Sequence, residues 1–195
     1  MLWFFIVGSQ EYIVIEEVNK FFVGMVFKEG KLFCNTVPVK SRDKAIFHLK
    51  RSYDIEKFSV ERDPIIQEEA KKIAESIFDL FMGRPTSVDL NVLAEAPHWN
   101  ILTFLLNIPH GKVSTYGELG RVFKVNPRIV GLIMSKNPFP LIIPCHRVIR
   151  SDMSLGGYSY GVNLKREILR REGVKMIGIN KVDISSLHKF MRTEV

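Results

Sequence analysis

The pattern of the chain changes near its middle, and that change limits the folds open to it more than any other feature. Between Tyr12 and Val39 the runs YIVIEEV, FFVGMVFKEG and KLFCNTVPV are rich in β-branched and aromatic residues and are broken by turn signals such as Glu29-Gly30. Breaks this short leave no room for crossover helices, so the runs read as a small antiparallel sheet. SRDKAIFHLKRSY (41–53) then reads as a helix capped by Ser41 or Asp43, with Ala45, Ile46 and Leu49 on its inner face. A second helix is expected from Pro64 to Met82, where Ile65, Ile66, Ala70, Ile73, Ala74, Ile77, Phe78 and Phe81 keep the helical period. Pro64 suits its first position and Gly83 its C-terminal cap.

Beyond GRPTSVDLN the strand signal fades and the chain turns helical. HWNILTFLLNI predicts a short helix stopped by PHG at 109–111. STYGELGRVF predicts another, with Ser114 or Thr115 as N-cap, and a third runs from Pro127 to about Lys136. VNLKREILRREG (162–173) predicts a last helix ending at Gly173. A boundary is expected within 83–92, giving an N-terminal α/β domain over 1–90, a mainly α domain over 91–174 and an appendage over 175–195. The helices at 115–124 and 127–136 have the proportions of a helix-turn-helix, or of an ordinary helical hairpin. In the second of them Ile129, Val130, Ile133 and Met134 share one face, while Arg128, Gly131, Ser135 and Lys136 take much of the other. A glycine on that face lets a partner backbone come close.

Composition narrows the class. The chain has 195 residues, 46% of them hydrophobic, enough for one large core or two small ones. Its formal net charge of +7 raises the odds of a polyanionic partner. The two cysteines, Cys34 and Cys145, are far apart and flanked by apolar residues, which argues for a reducing, cytoplasmic setting rather than a disulfide scaffold. No CxxC or HxxxH cluster offers a zinc site. The opening MLWFFIV is too short for a signal peptide or a membrane span.

The stretch NPFPLIIPCHRVIRSD (137–152) poses a chemical question. A thiol attacks only as thiolate, and at an ordinary pKa near 8.5 only about 3% is ionised at neutral pH. His146 and Arg147 are the local candidates to favour the anion. In an extended segment, however, neighbours point to opposite sides, and Pro144 biases Ile143 toward extension. Contact between His146 and Cys145 then needs a turn or a bridging water, and the histidine needs an orienting acid. A buried structural cysteine remains open beside a nucleophile. Nearby, LGGYSYG (155–161) supplies a pliable loop with aromatic faces and backbone donors, suited to a flat ligand or to serving as a plain connector.

Taken together, GKVSTYGELG, NPRIVGLIMSKNPFPLIIPCHRVI and LGGYSYGVNLKREILRREGV closely resemble the O6-alkylguanine-DNA alkyltransferases over about residues 97–174. Residues 1–90 resemble the N-terminal domain of that family only in size and in the order of sheet and helix. The resemblance implies a ribonuclease H-like N-terminal domain and a C-terminal domain with a winged helix-turn-helix. It implies direct-reversal DNA repair, in which the alkyl group, chiefly methyl, of O6-alkylguanine or O4-alkylthymine moves irreversibly to an internal cysteine. Each protein molecule would act once, as a monomer, on double-stranded DNA held through its minor groove, with no membrane, cofactor or metal.

The roles it implies fall on particular residues. Cys145 is the nucleophile and acceptor, and His146 is a base acting through water. Glu172 holds the tautomer of His146, and Asn137 ties its segment to the cysteine loop. Because a base inside a duplex offers no in-line path to O6, the nucleotide must be flipped out. Arg128 matches the finger that fills the vacated place. Tyr116 matches the tyrosine beside the target phosphate, which also donates toward the purine ring. The recognition helix with Gly131 lies in the minor groove, where sequence readout is poor, as suits a search for lesions in any context. The Ser159 N–H would bond O6, the carbonyls of Cys145 and Val148 would accept from the guanine amino group, Met134 would pack on the base and Tyr158 would wall the pocket. Tyr160 stands where some members carry glycine and should narrow the pocket mouth, favouring methyl over bulky adducts. Two other classes remain as alternatives: a lesion-binding module without transfer, against which Cys145 itself speaks, and a Cys-His hydrolase, which would need an oxyanion site and turnover.

Overall fold

A computed structural model of the chain describes residues 11–52 and 64–190. The apolar opening MLWFFIV and the final expected helical residue of 41–53 lie outside the described residues. The chain divides into two compact units, the first ending at Phe78 and regaining Ser87–Glu95, the second holding Asp79–Thr86 and everything from Ala96 onward.

In the first unit β1 (Glu11–Val18), β2 (Phe21–Lys28) and β3 (Lys31–Asn35) form an antiparallel meander in the order β1-β2-β3. Its turns are two residues long, Asn19-Lys20 and Glu29-Gly30, and all four residues have positive φ, the geometry that matches strand twist in tight hairpins. Residues after Asn35 leave the strand but return at Val39, which exchanges backbone bonds of 2.8 and 3.0 Å with Phe22. Helix α1 (Arg42–Ser52) starts on Ser41, whose Oγ accepts from the Lys44 amide; Asp43 sits inside the first turn. Ala45 and Leu49 are buried, and Ile46 packs beside Leu49 on a cluster holding Val26 and Cys34. The helix comes so close that a Cβ on Gly24 would stand 2.9 Å from Leu49 Cδ1, so a larger residue in β2 would have to push the Leu49 side chain aside.

Helix α2 (Pro64–Phe81) buries Ala70, Ile73, Ala74, Ile77, Phe78 and Phe81, with Phe78 against the Phe21 ring at 5.7 Å. Gly83, at φ 76°, closes it as expected. Ile65 departs from the expected face: it is 80% exposed, because it lies in the first turn, ahead of the stretch that packs.

The second unit is built from short pieces. Helix α3 (Trp99–Phe104) tightens into a 3-10 turn at Leu105–Asn107 before Pro109. Of the two expected caps of the next helix Thr115 is the one used: it caps α4 (Tyr116–Phe123) by accepting from the Glu118 amide at 3.0 Å, while Ser114–Thr115 also form a strand, β4, parallel to β5 (Val148–Ile149). Between α4 and α5 (Pro127–Ser135) the chain turns at Lys124, in the left-handed region, and Asn126 caps α5 through the Arg128 amide. Gly120 is required at this corner, since a Cβ would meet the Val125 carbonyl at 2.8 Å. Helix α6 (Val162–Arg171) follows the glycine loop.

The stretch expected as an appendage supplies, in its described part, a hairpin of β6 (Met176–Ile177) and β7 (Lys181–Val182). Val182 lies in a core cluster with Val113, Ile149, Leu155, Leu169 and Val174. Val113 further bonds the backbone of Ser186 and His188 at 3.0 and 2.7 Å. Among the described residues no helix is long and apolar enough to cross a membrane.

Candidate active site

The expected extended course of the cysteine segment is not what the chain adopts. Pro144, at φ −80° and ψ 57°, makes a tight turn in which the Cys145 amide bonds the Ile143 carbonyl at 2.8 Å, and Cys145–Arg147 continue as one 3-10 turn. With three residues per turn, consecutive side chains leave in three directions rather than two. Cys145 therefore faces one set of partners while His146 and Arg147 face another.

The first set is Asn137. Its side-chain Nδ2 donates to the Ile143 carbonyl at 3.0 Å and to Cys145 Sγ at 3.2 Å, and its Oδ1 accepts from the Phe139 amide at 3.0 Å. The Asx turn of NPFP and the link to the thiol are thus one structure. The Asn137 amide also reaches back to the carbonyl of buried Met134 at the end of α5.

The second set converges on Glu172, the buried C-terminal cap of α6. Arg147 grips it bidentately, Nε to Oε2 and an Nη to Oε1, both at 2.9 Å, and its other Nη donates to the Ile108 carbonyl. His146 Nε2 lies 2.9 Å from the same Oε1. Burial on its own would raise the Glu172 carboxyl, but His146 and Arg147 outweigh it and hold the group at about 2. Glu172 is therefore an anion that can only accept, so His146 Nε2 carries the hydrogen. Burial keeps His146 neutral against the pull of Glu172. Its remaining lone pair is on Nδ1, which is buried and bonded to no protein group. His146 meets the Cys145 sulfur through its backbone N–H, and among the described residues no hydrogen bond joins its ring to the thiol.

Cys145 itself is buried, and burial pushes its thiol up; the Asn137 bond and then the charge of Lys165 pull the other way. Lys165 was not expected. It stands on the inner face of α6 beside Ile168 and Leu169, and its ammonium donates to the carbonyls of Val148 at 2.6 Å and Gly157 at 3.3 Å. The signal was available: Lys165, Ile168 and Leu169 share helical spacing, although a lysine on such a face normally snorkels outward.

Around this centre lie the expected tyrosines. Tyr116 opens α4, with Gly131 of α5 and Gly156 of the loop both near its ring, so that a Cβ on either would come within 3.9 and 3.5 Å of it. Burial, then the charge of Cys145, raises its hydroxyl pKa. The Tyr158 hydroxyl is buried and unpaired in the protein and is raised for the same two reasons; its ring is 5.9 Å from that of Tyr160. Ser159 and Arg128 are exposed, the latter in the first turn of α5. Of the apolar face expected on α5, Val130, Ile133 and Met134 are buried, but Ile129 is 46% exposed beside Arg128, so the outward face of this helix is part apolar.

Charge is divided unevenly along the chain. Residues 96–195 carry 15 of the 28 Lys and Arg but only 6 of the 21 Asp and Glu, a net +9 against −2 for residues 1–95.

The second unit thus presents a buried thiol held by an amide, followed in the chain by a histidine locked on an arginine-clamped glutamate. Comparison with known proteins shows the family in which the chain falls. Residues 97–174 match the family model described as 6-O-methylguanine DNA methyltransferase, DNA binding domain. Residues 14–91 match that of the methylated DNA-protein cysteine methyltransferase N-terminal domain. A curated relative from Methanocaldococcus jannaschii, named methylated-DNA–protein-cysteine methyltransferase, is 35% identical over 177 residues, covering 87% of this chain and 99% of its own. Two similar solved structures are of O6-methylguanine DNA methyltransferases. The one from Methanococcus jannaschii is 32% identical with a TM-score of 0.59, covering 85% of this chain and 96% of that one. The one from Pyrococcus kodakaraensis is 25% identical with a TM-score of 0.62, covering 84% and 99%. The chain belongs to the methylated-DNA–protein-cysteine methyltransferase family.

Proposed function

We propose that this protein repairs DNA by moving the alkyl group of O6-alkylguanine, chiefly methyl and also that of O4-alkylthymine, onto Cys145. The observation that carries this reading is the pairing of a buried thiol bonded to Asn137 with a neutral His146 whose Nδ1 is left free by the Glu172–Arg147 clamp.

The thiol proton passes through a water to His146 Nδ1, and the imidazolium so formed faces the Glu172 carboxylate. Sγ attacks the alkyl carbon in line; the S–C bond forms, the C–O6 bond breaks and its electron pair goes to the guanine, which regains the proton. Tyr116 donates to the purine ring as charge develops there. The Ser159 N–H holds O6, and the carbonyls of Cys145 and Val148 accept from the guanine amino group. The Val148 carbonyl already accepts from Lys165, and its second lone pair leaves room for this. Met134 packs on the base, Tyr158 walls the pocket and Tyr160 narrows its mouth. A thioether is a poor leaving group, so each molecule acts once.

Reaching O6 requires the nucleotide to leave the stack, at a cost of a few kcal/mol. Helices α4 and α5 act as a winged helix-turn-helix whose α5 enters the minor groove; Gly131 allows its close approach and Arg128 fills the gap. The concentration of positive charge in residues 96–195 supports a DNA-facing role for this half. Residues 91–174 form the transfer domain, residues 1–90 a ribonuclease H-like companion, and 175–195 an addition that stabilises rather than reacts. The protein works as a monomer in the cytoplasm.

The test is to mix the protein with a duplex holding one O6-methylguanine and map the products by peptide mass spectrometry. A methyl on Cys145, absent in Cys145→Ala, is expected. Binding without an adduct would instead make the chain a lesion-recognition module, and repeated turnover with unmodified Cys145 would make it a hydrolase.

A further inference from the structure

Among the described residues Lys165 is the largest charged side chain that is fully enclosed, at 0% exposure. Removing an ammonium from water costs several kcal/mol unless it is paired. Among the described residues no carboxylate lies within ion-pair distance of Lys165, and the buried Glu172 is committed to His146 and Arg147. What surrounds the ammonium is the carbonyls of Val148 and Gly157, the Tyr116 ring with its centroid at 5.9 Å, the guanidinium of Arg150 and the thiol of Cys145. Arg150 adds a like charge and makes the position worse, so among the described residues the group whose charge favours the ammonium is the Cys145 sulfur.

The contacts also explain why a lysine rather than a smaller cation stands here. Val148 begins β5, directly after the turn that carries Cys145, and Gly157 belongs to the glycine loop that follows. One ammonium with three hydrogens joins both segments and still has one hydrogen to offer.

We infer that the Lys165 ammonium is the counter-charge of the Cys145 thiolate and, through its two carbonyl contacts, the tie that sets the glycine loop against the cysteine turn. This deepens the transfer reading and rests on it for the thiolate's purpose. Lys165 sets the state of the sulfur while His146 receives its proton, so the two groups divide the work: one stabilises the anion, the other removes the hydrogen. Burial pushes Lys165 down to about 8, the charge of Cys145 pulls it the other way and Arg150 lowers it further. When the sulfur becomes a neutral thioether that support is lost.

The test separates the counter-charge from the repair reaction by using iodoacetamide on the free protein, with the Cys145 rate read from its own peptide across pH. Lys165→Gln keeps a carbonyl-bonding donor without the charge, and Lys165→Met removes both. Each is expected to move the midpoint of Cys145 alkylation up by about one pH unit or more, slowing the reaction at neutral pH about tenfold. Melting of Lys165→Gln should stay near that of the parent protein. A purely structural lysine would leave the midpoint in place.

A second measurement needs no substitution at Lys165. With 13C-labelled lysines in the unsubstituted protein, the Lys165 titration is followed by NMR before and after S-methylation of Cys145. It should shift downward on methylation, because the anion that raised it is gone. An unchanged Lys165 titration, or an unchanged alkylation midpoint in a folded variant, overturns the inference. Neither readout uses damaged DNA, so failure of repair with these shifts intact would count against the transfer reading alone.

Discussion

Cys34 and Cys145 lie in different units of one chain, are 2% and 7% exposed, and are both pushed toward the neutral thiol by that burial. Their surroundings are opposite in kind. Cys34 sits among Val26, Leu49, Ile13, Ile15, Phe33 and Ile46, where nothing but a backbone amide opposes the loss of water. Cys145 has the Asn137 amide, the Lys165 ammonium and two tyrosines raised by burial and then by its charge. Burial alone therefore does not tell a packed cysteine from a reagent. The polar groups buried with it do, since each is costly unless it has a use.

The largest effects should come from exchanging the two thiols' fates. Cys145→Ala should abolish methyl transfer from DNA, whereas Cys34→Ala should leave the transfer rate unchanged and cost about 1 kcal/mol of stability by the loss of a small buried group. Transfer assays on labelled DNA with thermal melts of both variants check this. A Cys34→Ala protein that folds yet fails to transfer would erase the contrast between the units.

Next in size is the acid under His146. Glu172→Gln leaves the Arg147 guanidinium buried without its anion, which should cost about 3–5 kcal/mol, and transfer should fall at least about 100-fold as His146 loses its orienting acid. The native carboxyl is held at about 2 against an ordinary 4.5, so its stabilising effect is complete above pH 4.5 and lost as pH falls toward 2. Acid unfolding of the parent protein should therefore be steeper in that window than that of Glu172→Gln, as followed by circular dichroism. In the first unit, Glu11 on Lys28 is a surface pair, and Glu11→Gln should change stability far less than Glu172→Gln does.

Asn137→Ala removes two donated bonds and one accepted bond, for a stability loss of about 1–3 kcal/mol. It should also raise the pH midpoint of Cys145 alkylation, because the Asn137 bond favours the anion. The smallest structural effects belong to the surface. Arg128→Ala should leave melting within about 0.5 kcal/mol while slowing repair in duplex DNA more than reaction with free O6-methylguanine base. Tyr160→Gly should leave methyl transfer nearly unchanged and speed reaction with a benzyl-sized free base; no gain there would remove Tyr160 as a gate.

Legibility from sequence followed the length of the signal. Helix α2 could be read because its packed residues repeat over many turns between Pro64 and Gly83, and the meander because its turns are marked. The strands β4 and β5 could not, since two residues show no period. The hairpin after α6 was missed for the same reason, although Val182 is core. At the site, local chemistry left Cys145 open between a packed thiol and a nucleophile, Asn137 entered through the family resemblance, and the expectation of an extended PCHR segment missed the turn at Pro144 that sends His146 and Arg147 to Glu172. Lys165 was hidden by its residue type: helical spacing placed it inward, while the usual cost of burying an ammonium argued that it faced solvent.

The central claim is that Cys145 is spent as a reagent. Its most direct test is to titrate the protein with increasing excess of O6-methylguanine duplex and count methyl groups per chain by intact mass, alongside lesions repaired. The account predicts that both counts stop at one per chain, with the methyl on Cys145 and Cys34 untouched. Repair continuing past one lesion per chain, or a methyl found on Cys34, would contradict it.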